Sequence, residues 1–166
     1  MAISKAFHKF CDFLDRVCGW VCVVCIVAMV LLTGAQILCR LYFTALAWSE
    51  ELTRYLMVWA TFLGASCMYR RSGHISVTFI QDLFPHVGRQ VMQVCCHLLC
   101  GAFCIAAVIY GLEYMSLQSR QLSAALRIPM SWVYLAIPVG CGIIVCYVAD
   151  ILLQMCSLSC KNEEAA

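Results

Sequence analysis

Three long stretches of the chain contain no Asp, Glu, Lys or Arg: Val17–Cys39, Gln90–Leu112 and Ile128–Ala149, of 23, 23 and 22 residues. Each exceeds the roughly 20 residues with which a helix crosses a hydrocarbon core about 30 Å thick. A fourth stretch, Trp48 to Val77 (WSEELTRYLMVWATFLGASCMYRRSGHISV), is built differently. It holds 15 uncharged residues, Tyr55 to Tyr69, with Glu50, Glu51 and Arg54 before them and Arg70, Arg71 and His74 after. A helix from Ser49 to Tyr69 covers about 31 Å at about 1.5 Å per residue, which places the leading charges among the headgroups. The pattern predicts an all-α integral membrane protein, one domain over 1–166 with spans near 17–39, 49–69, 90–112 and 128–149.

The intervening segments refine this layout. Phe7, Phe10, Phe13 and Leu14 recur at helical spacing among charges, predicting an amphipathic N-terminal lead-in at the membrane interface. Tyr42, Phe43 and Trp48 suit the aromatic belt of a short outer connection. Ser49 is a candidate N-cap for the second span. Glu50 and Glu51 complement the positive end of its dipole, and Arg70 and Arg71 complement the negative end. Gly73 is a natural terminator. A loop over 72–89, semi-apolar from Ile75 to Ile80, follows on the cytoplasmic side. Beyond the third span, Leu117, Leu122 and Leu126 predict an outer helical arm over Glu113–Arg127. Pro129 opens the last span and Pro138 predicts a kink within it.

Composition agrees. The chain is 64% hydrophobic and 12% charged, with mean hydropathy +0.89, leaving too few polar residues to cover a water-facing surface. A net charge of +2 offers no support for a nucleic-acid partner. With both termini cytoplasmic, that side holds Lys5, Lys9, Arg16, Arg70, Arg71, Arg89 and Lys161, against Arg40, Arg54, Arg120 and Arg127 outside, the bias expected of cytoplasmic segments. All 14 cysteines fall in spans or cytoplasmic segments under this topology, sparing the oxidising side. The basic start and Ala45-Leu46-Ala47 resemble a signal peptide superficially. The 23-residue apolar run is too long for one and reads as a retained span.

Little in the chain suggests chemistry. A transporter or proton relay places ionisable groups at mid-membrane. Here only His97 lies well inside a charge-free window, and it reads as a neutral histidine hydrogen-bonded to a neighbouring helix. A membrane anchor of a redox enzyme binding haem or quinone is the alternative. Haem ligation wants two histidines at matched depth, and His8, His74, His86 and His97 offer no such pair. Cys22-Val-Val-Cys25 lies within lipid, and its cysteines, like Cys96, Cys100 and Cys104, sit at the spacing of small packing residues. No cofactor, metal site or catalytic group is expected. Glu50 and Arg54 are spaced to pair on one helical face, leaving Glu51 for a partner's cation. Gly64 and Ala65 offer a small-residue face for helix packing.

The Trp48–Val77 stretch resembles the signature region of the small membrane subunit of tripartite ATP-independent periplasmic (TRAP) transporters, the DctQ-like family. Trp48, Glu50, Glu51, Arg54, Trp59, Gly64, Ala65 and His74 carry the resemblance. A second patch, Leu126-Arg-Ile-Pro129, Trp132, Tyr134 and Ala136-Ile-Pro138-Val-Gly140, looks like the start of the family's last span. The 14 cysteines are a departure. The resemblance implies a subunit of the inner membrane without an active site. It would serve as scaffold for a large polytopic subunit that takes up an organic acid by sodium-driven symport, the solute being captured by a periplasmic binding protein. Trp48, Glu50, Glu51, Arg54 and Trp59 are then expected to touch the partner or lipid headgroups, and Arg70, Arg71 and His74 to make contacts at the cytoplasmic loop.

Overall fold

The structure, a computed structural model, describes residues 2–42, 46–72 and 86–163. Four long helices dominate: α1 (Ala2–Tyr42), α2 (Ala47–Ser72), α3 (His86–Leu117) and α5 (Ala136–Glu163). The short α4 (Ser131–Tyr134) leads into α5. No strand occurs among the described residues. Three segments are long and apolar enough to cross a membrane: Phe7–Tyr42, Val91–Arg120 and Ser131–Met155. α2 is not among them: its longest nearly uncharged stretch, 52–69, is diluted by Arg54 and by Thr, Ser, Tyr and Trp side chains, and Glu50, Glu51, Arg70 and Arg71 flank it.

Helix α1 packs along α2, α2 meets α5, and α3 lies along α5, while α1 touches α5 more lightly. A small core gathers where the first three meet. Cys18 from α1 and Leu63 and Cys67 from α2 are buried together, with Leu14, Trp59 and Ile143 against them. Cysteine serves here as a small apolar filler: the Cys22 thiol sits 3.6 Å from the Ala60 carbonyl. The α2–α5 crossing is tight, since a Cβ on Gly140 would stand 2.7 Å from Phe62 Cβ and 3.1 Å from its carbonyl oxygen. On α3, Gly101 and Gly111 admit Val148 and Ile137 of α5 in the same way. Outward-facing Trp20, Val24, Val30, Leu31, Leu99 and Phe103 remain exposed, as suits helices with lipid or a partner against them.

Several expected boundaries move. The amphipathic lead-in is not a separate element, since α1 runs unbroken for 41 residues, about 60 Å and twice a hydrocarbon core. Ser49 does not cap α2, which begins two residues earlier. The Ser49 N–H donates to the Leu46 carbonyl at 3.1 Å, and its buried hydroxyl has no partner. The outer arm is helical only as far as Leu117, with a 3-10 turn over Gln118–Arg120. Beyond it the chain folds back, Leu122 pairing antiparallel with Pro129. Ser123 N–H reaches Ile128 O and Met130 N–H reaches Gln121 O, each at 2.9 Å. Within the fold-back, Pro129 disfavours helical backbone at Ile128, and Arg127 turns with φ 53°. The last helix starts at Ser131 rather than Pro129 and is interrupted at Leu135. Pro138 has no N–H for the Tyr134 carbonyl, which accounts for the break. Of the expected loop over 72–89, Ser72 closes α2 and residues 86–89 open α3, while residues 73–85, His74 among them, lie outside the described residues.

Candidate functional site

The charges of α2 organise both of its ends. Glu51 and Arg70 are nineteen residues apart on one helix, about 28 Å at 1.5 Å per residue and close to the thickness of a hydrocarbon core. Each anchors a polar clasp that ties α2 to other parts of the chain.

At the first clasp the Glu51 carboxylate meets the turn between α3 and α4. Its Oε2 accepts from the backbone N–H of Ala125 at 2.9 Å and of Leu126 at 3.0 Å. Its Oε1 accepts from the Tyr55 hydroxyl at 2.6 Å. The turn presents these two N–H groups because its tight geometry leaves them without carbonyl acceptors, and an ionised carboxylate is the stronger acceptor available. The Tyr55 hydroxyl also lies 3.5 Å from Met130 Sδ. A depression of about 370 Å³ borders the clasp, lined by Glu50, Arg54 and Met130 among others. Glu50 and Arg54 are exposed on its rim. No ion pair joins them, so the expected i,i+4 pair is not formed, and the polar hydrogen bonds of Glu51 go to the chain's own turn. Trp48 is 44% exposed beside them.

At the other end α1, α2 and α5 meet around Arg70. Its guanidinium bonds Asp12 of α1 and, at 3.2 Å, Asp150 of α5. It lies 5.0 Å over the ring of Tyr147, a favourable cation–π contact. Asp150 is 2% exposed and has two further polar atoms at hand. His8 Nδ1 is 2.9 Å from it, and Gln154 Nε2 is 3.2 Å away and 2.9 Å from the same histidine nitrogen. Arg71 reaches Asp15 of α1 at 3.5 Å. Arg70 and Arg71 therefore pair within the chain, beyond complementing a helix dipole. Because α1 contributes its start and α5 its second half, the first residues of α1 and the far part of α5 share one end of the bundle.

Between the clasps, residues 55–69 of α2 carry no charge. His97 on α3 is 7% exposed, and its Nδ1 lies 2.6 Å from the Tyr69 hydroxyl of α2, with the rings edge to face. His97 thus bridges α3 to α2, as its position suggested. Trp59 packs on the Cys18–Leu63–Cys67 core. Gly64 faces Cys22 at an ordinary 3.6 Å and Ala65 is exposed. The closest helix approach is at Gly140. Among the described residues no three His, Cys, Asp or Glu converge on a possible metal position.

Sequence comparison identifies the family. Residues 29–157 match the family described as tripartite ATP-independent periplasmic transporters, DctQ component. The chain belongs to this family. A DctQ component is part of a transporter and not an enzyme, which accords with a chain whose polar groups are spent on helix-to-helix bonds. The chain is 31% identical over 106 residues to the sialic acid TRAP transporter permease protein SiaT of Haemophilus influenzae, covering 63% of this chain and 17% of that protein. It is 27% identical over 93 residues to the sialic acid TRAP transporter small permease protein SiaQ of Vibrio cholerae, covering 56% and 54%. A putative TRAP transporter small permease protein of H. influenzae is 26% identical over 135 residues, 80% of this chain and 81% of the relative. The chain thus spans under a fifth of the first relative and about half of the second.

Of the residues that matter in these clasps, Glu51, Arg70 and Arg71 stood out in the sequence, but His8, Asp12, Asp15, Asp150 and Gln154 did not. Their signal was weak: Asp12 and Asp15 looked like polar punctuation in a lead-in, and Asp150 like the end of a span.

Proposed function

We infer that this chain is the fixed membrane subunit of a TRAP transporter. It crosses the bacterial inner membrane four times with both termini in the cytoplasm, α2 being the fourth span. It holds a large polytopic permease subunit in position during sodium-driven uptake of an organic acid delivered by a periplasmic binding protein. One observation supports this reading above others: the chain is fastened at both ends of α2, and α2 carries no Asp, Glu, Lys, Arg or His from Tyr55 to Tyr69, between Arg54 one turn from Glu51 and Arg70 itself. A moving ion path needs ionisable groups at depth, whereas a scaffold needs helices that do not slide. The 28 Å between the clasps suits α2 as a span, each clasp lying where water and headgroups begin. The named solute of two relatives, sialic acid, is itself a carboxylic acid.

Exposed Trp48, Glu50 and Arg54 remain for contact with the partner or headgroups. In mild detergent the chain is expected to co-purify with a large polytopic subunit, and its deletion to abolish uptake. Reversing charge at Glu50 and Arg54 is expected to weaken assembly more than reversal at Lys161. A lone, stable monomer whose deletion leaves uptake intact would sink the reading. A Soret band in the purified protein would favour a redox anchor instead.

A further inference from the structure

A cleft of about 360 Å³ opens between α1 and α2 beside the Arg70 clasp, lined by Arg16, Gly19, Trp20, Val23 and Arg71. Arg16, Gly19, Trp20 and Val23 recur at i, i+3, i+4 and i+7, so they share one face of α1. Gly19 forms the floor: a Cβ there would lie an ordinary 3.5 Å from Arg71 Nη2, so the guanidinium lies against α1. The Arg71 side chain is 65% exposed and its one carboxylate, Asp15, is 3.5 Å away. Arg16 is exposed and has no carboxylate within ion-pair distance among the described residues. Two guanidinium groups therefore face one carboxylate, leaving the cleft with a positive excess. The neighbouring Arg70 does not contribute to it, being occupied by Asp12 and Asp150.

The cleft's depth defines what it can take. The His8–Asp12–Asp150 cluster at the same end marks where the apolar zone stops. Trp20, one turn beyond Arg16, is 69% exposed, and Val23, a further turn in, is 52% exposed. A ligand filling this cleft meets two arginines at its polar end and an indole with an aliphatic face at its apolar end. Paired guanidinium groups recognise phosphate by charge-assisted, forked hydrogen bonds, and basic pockets between spanning helices suit anionic headgroups. We propose that this cleft binds an anionic phospholipid, with Arg16 and Arg71 on the phosphate and an acyl chain along Trp20 and Val23.

Trp20 is the reporter. The full chain is reconstituted in vesicles containing acyl-brominated phosphatidylglycerol or acyl-brominated phosphatidylcholine, and quenching of Trp20 is read as the difference between the chain and its Trp20→Phe variant. Preference for the anionic lipid at Trp20 is expected, about fivefold for each arginine. Arg16→Gln should lose that share without breaking an ion pair, so loss of fold does not confuse it. Arg16→Gln with Arg71→Gln should abolish the preference, and lysine at both positions should retain most of it. Equal quenching by the two lipids, or a preference untouched by Arg16→Gln, would overturn the proposal and leave the arginines to acidic groups of a partner. Inorganic phosphate at millimolar concentration should not relieve the quenching; relief would make the cleft a free-anion site instead.

Discussion

Replacing Arg70 with methionine keeps most of the side chain's length and removes its charge. The Asp150 side chain is 2% exposed and that of Arg70 12%, so the substitution strands a carboxylate in a site water barely reaches. Removing one partner of a buried ion pair costs about 3–5 kcal/mol. The Asp12 arm adds little, because that carboxylate is 53% exposed and exposed pairs contribute about 1 kcal/mol at most. The Tyr147 contact contributes about 0.5–2 kcal/mol, but it is lost with the same group and does not simply add. His8 and Gln154 stay beside Asp150 and offset part of the loss. The expected cost is therefore near the lower bound, about 3 kcal/mol, or about a hundredfold in the folding equilibrium. Unfolding by rising dodecyl sulfate fraction in mixed micelles, followed by far-UV circular dichroism, measures it. Asp150→Leu and the double variant complete the cycle. The double variant should cost well under the sum of the two singles, because no buried charge is left behind. A loss under about 1 kcal/mol for Arg70→Met, or strict additivity, would refute the buried-pair reasoning.

Gly140→Ala should destabilise by about 1–3 kcal/mol in the same assay, since the new Cβ meets Phe62 backbone and not a flexible side-chain end. Gly142→Ala, which meets nothing within 4 Å, should stabilise α5 by about 0.5–1 kcal/mol; a matching loss at both would show that the crossing is not where the cost arises. Glu51→Ala should speed hydrogen exchange at the Ala125 and Leu126 amides while leaving the middle of α5 protected, and unchanged exchange would exclude the carboxylate as the turn's anchor. Tyr69→Phe should cost about 1 kcal/mol and, under the proposed function, leave the sodium dependence of uptake unaltered; a changed sodium dependence would mean His97 serves ion coupling.

The all-helical class, the membrane class and the family were legible before any coordinate, because each depends on patterns local in the chain. A run of 23 uncharged residues is a span wherever its neighbours lie, and the Trp48–Val77 motif is contiguous. Local pattern misled where proline intervened. The leucine spacing of the expected arm carried on to Leu126, yet the helix ends at Leu117 and the chain folds back, with Pro129 disfavouring helix at Ile128. Ser49 had the chemistry of a cap, but α2 starts at Ala47 and buries it.

The partners of the charges were decided only by tertiary structure. Glu50 and Arg54 are correctly spaced for a helical pair and do not form one, while Glu51 reaches a turn 74 positions away in sequence. Arg70 bonds residues 58 and 80 positions distant. Spacing along one helix says which residues share a face, but not what the packing of other helices sets opposite that face. The sequence therefore determined that this is a family of membrane-spanning helices with charged ends. Only the assembled bundle decided that those ends close on each other, because a buried carboxylate must find its donor wherever the chain supplies one.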